Sequence, residues 1–406
     1  MNNKNNVTNS FILNALNLPI IKDLESLSNH IGISEKLIYL LSVRNSEFYE
    51  SFTIPKKDGT ERKIESPSYS LKLVQRWILK EILEKIPVSV HSFAFNPGRN
   101  GIKDNAELHK FSLYLLQMDI KDFFTSIEYK RVFYLFKNLG YNSFISKILT
   151  EICTHEERLP QGGVCSPYIS NLICYRLDNR LQGLCSSRDI IYSRYADDLT
   201  FSCDNKEALR KIKKVIEEII FDEGFKVNHK KTRYTSPSSH KVVTGITIND
   251  QKIKVQKDLK RKVRALIHHA IVCGDFSEIN TIKGYVSYIN SIEVGYREKV
   301  ITYINKLLME KDYKYYNDIV ESVNGNLMMK EQISMVYDEY VDDEYVDDEY
   351  IPADIVFAET ILRKRIDFFK KRGKELEIED KYKEYFEDEV ASTVVVDADD
   401  DDELPF

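Results

Sequence analysis

The sequence predicts an α+β fold in which an antiparallel sheet is followed by a helical domain. Three observations carry this expectation. Residues 190–192 and 199–201 are short runs of β-branched and aromatic residues flanking Tyr195-Ala196-Asp197-Asp198, which is a hairpin pattern. Leu115-Leu116-Gln117-Met118 reads as an apolar strand that ends on Asp119. From residue 254 the period changes, with Val263, Leu266, Ile267, Ala270 and Ile271 falling at i, i+3, i+4, i+7 and i+8 of a helix.

At 406 residues and 43% apolar content, the chain is long enough for two or three globular domains. The polar start, Met1-Asn2-Asn3-Lys4-Asn5-Asn6, carries no signal-peptide core, and no run of 18 apolar residues predicts a membrane span. Six cysteines stand no closer than nine residues apart, which excludes Cys-x-x-Cys pairs and predicts reduced thiols in a cytoplasm. The net charge of −6 is unevenly spread. Residues 331–406 hold 26 acidic and 9 basic side chains, a net −17, which leaves residues 1–330 at +11. A body this basic attracts a polyanion, and nucleic acid is the expected one.

In chain order, residues 18–49 are expected to be helical, built on Leu24, Leu27, Ile31, Ile33, Leu37, Ile38 and Leu41. Residues 52–64 follow as a hairpin turning at Asp58-Gly59, with basic residues at its tip and on its return strand. A packing helix spans 70–86 and stops at Pro87, and a loop covers 91–99. Beyond the strand ending at Asp119, helices are expected at 130–139 and 145–153. Gly162-Gly163 would let backbone approach a base or template closely, and Ser166-Pro167 would open a helix running to Leu181. An amphipathic helix covers 206–223, and 242–249 reads as a strand with a glycine kink. In the helical region Gly274 is the expected stop, and Lys257, Lys260, Arg261, Lys262 and Arg264 form a basic face suited to a duplex backbone. His268 and His269 are adjacent, do not share a helix face, and suggest no metal role.

Adjacent carboxylates at Asp197 and Asp198 repel unless cations neutralise them, so a divalent metal is their natural partner. Asp119, delivered at a strand end, supplies a third carboxylate. Such a set suits two metals about 3.5–4 Å apart that activate a hydroxyl and steady a leaving pyrophosphate. Lys56 and Arg62 on the basic hairpin are candidates for incoming phosphates, with Lys230 and Lys231 as further phosphate contacts. Gln161 lies in the loop-to-helix element expected to meet nucleotide and template. Two more Tyr-Val-Asp-Asp copies, at 340–343 and 345–348, sit in a five-residue acidic repeat without flanking apolar runs and read as solvated tract.

The order of these motifs resembles reverse transcriptases over about residues 20–310: a basic hairpin, Asp119-x-x-x-Phe123-Phe124; then Leu159-Pro160-Gln161-Gly162, Tyr195-Ala196-Asp197-Asp198 and Gly224-Phe225-x-Val227-Asn228. Asn105-Ala106-x-x-His109 and Val243-Thr244-Gly245 look like the signatures of the bacterial retron enzymes. The resemblance implies a right-hand polymerase: a helical lead-in at 1–50, fingers and palm at 51–250, a helical thumb at 251–325, and an acidic linker and extension at 326–406. It implies two Mg2+ ions held by Asp119, the Ile120 backbone, Asp197 and Asp198, and dNTPs as substrates. Phe124 would exclude a ribose 2′-hydroxyl, which makes DNA the expected product. Asn105, His109, Val243, Thr244 and Gly245, with Lys260, Arg261 and Arg264 of the thumb, would recognise RNA.

A retron enzyme is further expected to bind a cognate structured non-coding RNA and to start from the 2′-hydroxyl of a guanosine in it. Its product is branched multicopy single-stranded DNA joined to RNA, and an effector protein commonly joins it in antiphage defence. The extension carries no nuclease or transferase motif, and is expected to contact an effector, to occupy the basic groove, or to act as a solubilising tail. A group II intron-type or abortive-infection reverse transcriptase is the alternative enzyme, although an intron enzyme would normally add a DNA-binding or nuclease region. A nucleic-acid-binding scaffold is the alternative outside catalysis, although all three carboxylates are present.

Overall fold

The structure, a computed structural model, describes residues 7–310 apart from 56–58, 60, 98–100 and 274. The expectations for Lys56, for Asp58 of the hairpin turn, for Gly274 and for everything after residue 310 lie outside the described residues.

The chain opens with three short helices, α1 (Ser10–Ala15), α2 (Leu24–Ile31) and α3 (Glu35–Val43). The side chains of Asn9, Asp23 and Ser34 accept hydrogen bonds from the first-turn amides of these helices. The expected lead-in is therefore interrupted: Gly32, at φ 76°, ends α2 in the left-handed conformation that glycine adopts at no steric cost. Strands β1 (Tyr49–Pro55) and β2 (Glu61–Pro67) form the basic hairpin, with Ile54 opposite Arg62. Next come α4 (Tyr69–Ile78), which runs into a wide helical turn over Leu79–Leu83, then α5 (Gly101–His109) and β3 (Tyr114–Asp119).

Four helices pack around the following strands: α6 (Tyr129–Asn138), α7 (Ser143–Cys153), α8 (Ser166–Ile173) and α9 (Tyr175–Ser186). Pro167 stands in the first turn of α8 as expected, but Cys165, not Ser166, is its N-cap residue. The hairpin strands are β4 (Ile191–Tyr195) and β5 (Asp198–Cys203), followed by α10 (Lys206–Asp222) and β6 (Arg233–Thr235). The sheet order is β4-β5-β3-β6, antiparallel at each pairing, so the strand ending on Asp119 lies beside the acidic hairpin.

The expected strand over 242–249 is instead a tight hairpin. Strands β7 (Val242–Val243) and β8 (Ile246–Thr247) turn through Thr244 and Gly245, at φ 46° and 82°. Positive φ at both central residues reverses the chain in two residues, whereas a kink would merely bend it. Strand β9 (Lys254–Val255) completes this small sheet, and α11 (Lys257–Cys273), α12 (Ile279–Ile292) and α13 (Tyr296–Glu310) follow.

Two apolar cores result. The larger joins the N-terminal helices, the four-stranded sheet and α6–α10. The second joins β7–β9 and α11–α13, and takes in Ala106 of α5 and Leu115 of β3. Each fully buried Ile, Leu or Val in these cores contributes about 1.5–3 kcal/mol. Helix α5 and strand β3 thus tie the sheet to the C-terminal helices.

Candidate active site

The acidic hairpin closes through Ala196 and Asp197, with Tyr195 paired to Asp198. Ala196 adopts φ 56°, a left-handed conformation that costs a non-glycine residue on the order of 1 kcal/mol or more. Strand β3 pairs with β5 so that Asp119 is directly opposite Asp198. The Ile120 amide donates to the Asp197 carbonyl at 2.9 Å, which knits the turn to the end of β3. One edge of the sheet therefore carries all three carboxylates.

Their charges are incompletely balanced. Burial, then the neighbouring carboxylates Asp197 and Asp119, push the Asp198 carboxyl up to about 6, while the residue keeps an open edge toward solvent. Asp197 is also raised, by burial and then by Asp119, against the opposing charges of Lys231 and Arg62. Asp119, 4% exposed, is better satisfied. Its Oδ2 accepts from Lys231 Nζ at 2.7 Å and its Oδ1 from Asn228 Nδ2 at 3.0 Å, while its carbonyl accepts from the Asn228 amide at 2.8 Å.

The segment after α10 exists to deliver those two residues. Gly224 turns the chain at φ 81°, and Phe225 is buried under the Arg131 guanidinium, 4.6 Å from the ring centroid. A turn in which the Lys231 amide bonds the Asn228 carbonyl at 3.1 Å then points Lys231 at Asp119. The sequence named Lys230 and Lys231 together as phosphate contacts; in the structure Lys231 is the one bonded to the aspartate, and Lys230 lines the cleft beside it. The available signal was the spacing of three residues after Asn228, which a tight turn brings to the same side as the Asn.

The donor set fits hard divalent cations: three carboxylates at the ends of neighbouring strands, whose mutual repulsion a cation would relieve. Ile120, whose side chain is buried, lies at the same edge. Among the described residues, the His, Cys, Asp or Glu group whose ligand atoms converge within 4.8 Å is instead Glu65, His155 and Glu156. There Lys63 Nζ lies 2.8 Å from Glu65 and 3.6 Å from Glu156 and supplies the positive charge, so an ion network accounts for it.

A cleft of about 550 Å³ opens at the carboxylates. Its walls include Gln117, Asp119, Asp198, Lys230, Lys231 and Arg233, together with Thr244 and Gly245 of the β7–β8 turn. Arg62 is exposed on β2, close enough for its charge to act on Asp197. Phe124 is half-buried, with its ring centroid 6.4 Å from that of Phe95 and 5.3 Å from that of Phe123. Gln161 is also half-buried, and its carbonyl accepts from the Glu65 amide at 2.9 Å, fixing this loop to the basic hairpin. Gly162 has a different reason from the expected one. A Cβ there would stand 2.6 Å from the Glu65 carbonyl oxygen, so the close approach is to β2.

Several residues expected at an RNA surface are placed elsewhere. Asn105 and His109 are buried at 1% and 0% exposure, which leaves no side-chain surface for RNA. His109 bonds Ser202 Oγ through Nδ1 and Ser193 Oγ through Nε2, both at 2.7 Å, and burial holds its pKa near 3, so the imidazole is neutral. Val243 is buried as well, whereas Thr244 and Gly245 reach the cleft, with Thr244 Oγ1 bonding the Ile102 carbonyl of α5 at 3.1 Å. Lys260 is occupied by an ion pair with Glu293 and is removed from the free basic face. Arg261, which pairs with Asp258, and Arg264, beside the Tyr303 ring, stay exposed on α11.

An antiparallel sheet with an acidic edge, a basic hairpin before it and a helical domain after it is the architecture of a right-hand polymerase. The family described as "Reverse transcriptase (RNA-dependent DNA polymerase)" matches residues 54–266. The chain is 39% identical over 308 residues to the Retron Ec86 reverse transcriptase of Escherichia coli, covering 75% of this chain and 95% of that one. It is 31% identical over 299 residues to the Retron Mx65 reverse transcriptase of Myxococcus xanthus, covering 67% and 70%. A similar solved structure is the telomerase of Candida albicans in complex with a telomeric RNA fragment, at TM-score 0.41 and 11% identity. That match covers 74% of this chain and 66% of the other, just under two thirds of its length. The chain belongs to the reverse transcriptases, as a bacterial retron reverse transcriptase, and is an RNA-directed DNA polymerase. Among the described residues, no helix is long and apolar enough to cross a membrane.

Proposed function

We propose that the enzyme reverse transcribes a cognate structured non-coding RNA from a guanosine 2′-hydroxyl, giving branched multicopy single-stranded DNA. The observation carrying its catalytic part is the direct pairing of Asp119 with Asp198 beside Asp197 at the mouth of the cleft. In this reading residues 51–250 are fingers and palm and 251–325 the thumb. Asp119, Asp197, Asp198 and the Ile120 backbone hold two Mg2+ ions. When bound, the ions would lower the pKa of the attacking hydroxyl and neutralise the departing pyrophosphate.

The chain's own residues do the rest. Arg62 and Lys56 draw the triphosphate toward the carboxylates, and Lys230 lines the cleft for phosphate. Phe124 rejects a ribose 2′-hydroxyl by its bulk. Gln161 steadies the nucleotide side of the Leu-Pro-Gln-Gly loop. Lys231, bonded to Asp119, shields that carboxylate's charge until metal arrives. RNA meets Thr244 and Gly245 at the cleft rim and Arg261 and Arg264 on α11, while Asn105 and His109 act by holding α5 in place. The setting is cytoplasmic antiphage defence together with an effector protein.

The test is expression with the native genomic flanks, then RNase and debranching treatment of extracted nucleic acid on denaturing gels. A discrete DNA that shortens on debranching, and is absent with Asp197→Ala/Asp198→Ala, is the expected result. A folded enzyme that yields no such DNA overturns the priming proposal.

A further inference from the structure

The hairpin that carries Asp197 and Asp198 is underpinned by a charged side chain with no access to water. Arg194, two residues before the turn, is 0% exposed and is the largest fully buried side chain among the described residues. Its Nε and Nη2 donate to Oδ1 and Oδ2 of Asp178, both at 2.7 Å, and Asp178 on α9 is also fully buried. The Tyr192 hydroxyl donates to Asp178 Oδ1 at 2.8 Å. The remaining terminal nitrogen, Nη1, donates to Asn171 Oδ1 at 3.0 Å and to the Ala196 carbonyl at 3.2 Å. Asn171 on α8 is held in turn, accepting from Ser92 Oγ at 2.8 Å and donating to the Ala94 carbonyl at 2.8 Å.

Stability alone is a weak reason for such a pair. Burying two charges costs several kcal/mol per ion before attraction offsets it, and apolar replacements of both are often neutral or stabilising. What an apolar pair cannot do is donate to the Ala196 carbonyl. That carbonyl belongs to the peptide leading into Asp197, and Ala196 holds the left-handed conformation at φ 56° without being glycine. A fixed donor at that carbonyl selects one orientation of the peptide, and with it the direction in which Asp197 leaves the turn.

We infer that Arg194 is a positioning residue for polymerisation, holding the Ala196–Asp197 peptide through its hydrogen bond to the Ala196 carbonyl while Asp178 and Asn171 aim the guanidinium. The inference rests on reading Asp197 and Asp198 as metal ligands. It adds a support that passes from α8 and α9 through the sheet to the acidic turn.

The test uses the full chain with Asp178→Leu/Arg194→Met, which removes both charges together, and separately Arg194→Lys, which keeps a charge for Asp178 but not the planar fork. Unfolding midpoint, affinity for a template RNA, and primer-extension rate against Mg2+ concentration are measured for each. In a folded variant with parental RNA affinity, the Mg2+ needed for half-maximal rate should rise about tenfold and kcat fall by about 10–100-fold. The dNTP KM should move much less. A merely structural arginine would leave the Mg2+ requirement unmoved; a folded variant of either kind with the parental Mg2+ response and kcat overturns the inference. If the double variant does not fold, Arg194→Lys carries the same comparison. Asp198→Asn separates the two readings: if it still polymerises, the assignment of the aspartates fails, and this inference with it. If it is inactive while the Arg194 variants respond to Mg2+ as the parent does, the inference alone fails.

Discussion

Asp119 and Asp198 are separated in the chain by four helices, α6–α9, yet they are direct partners across the β3–β5 ladder. Antiparallel partners stand about 4.5–5.5 Å apart at Cα, so two like charges share one edge of the sheet. Their repulsion, with Asp197 beside them, makes several behaviours measurable.

The first concerns pH and metal. The folded-state pKa of Asp198 is raised from the usual 3.8 to about 6, so the folded chain holds that proton more tightly than the unfolded chain. Its contribution to stability is complete below about pH 4 and is lost as pH rises through about 6. The metal-free enzyme should therefore lose stability across that window, and Asp198→Asn should flatten the loss. Thermal melts at pH 4–8 with chelator check this, and a parental slope in the variant would refute it. Because metal competes with the proton, added Mg2+ should extend polymerisation to lower pH.

Catalysis should collapse when a carboxylate is removed without loss of fold. Asp119→Asn or Asp197→Asn should slow primer extension by roughly a thousandfold, equivalent to several kcal/mol of lost charge stabilisation. Single-nucleotide extension on a preformed template-primer measures this directly. Retention of more than a tenth of the parental rate would remove that residue from the metal set.

If Asp119 holds metal as proposed, Lys231 should compete with it. Its ammonium is bonded to Oδ2 and is itself raised in pKa, first by that hydrogen bond. Lys231→Met should lower the melting temperature in chelator and enlarge the gain on adding Mg2+. An unchanged difference between the two melts would mean the pair has no part in metal occupancy.

His109 should behave as a structural residue. Replacing it with Leu removes the buried partner of Ser193 Oγ, while Ser202 Oγ keeps its bond to Ser112 Oγ, so the cost is about 1–3 kcal/mol for the one hydroxyl left unsatisfied. An unfolding free energy lowered by that amount in a denaturant titration, with unchanged RNA affinity in the folded protein, is the expected outcome. Lost RNA affinity at unchanged stability would restore a direct contact.

Selection against ribonucleotides should relax in Phe124→Ala, with the dNTP-to-rNTP ratio of kcat/KM falling by about 10–200-fold. Competitive incorporation on one template reads it out, and an unchanged ratio would place the discriminating side chain elsewhere.

The sequence by itself determined the α+β class, the hairpin at Tyr195–Asp198, the strand ending on Asp119 and the helical character of the region after residue 254. Those features rest on local periodicity and turn chemistry, which act between neighbours in the chain. Only the tertiary structure decided which lysine reaches Asp119, because Lys230 and Lys231 differ by the direction in which a tight turn leaves Asn228. It also decided that Gly162 makes room for the Glu65 backbone, that Val243-Thr244-Gly245-Ile246 reverses rather than bends, and that Lys260 is committed to Glu293. Asn105 and His109 look like polar surface residues in the sequence, yet packing α5 between the sheet and β7–β9 buries them. Burial is a property of what arrives from elsewhere in the chain, and no local pattern around a polar side chain encodes it.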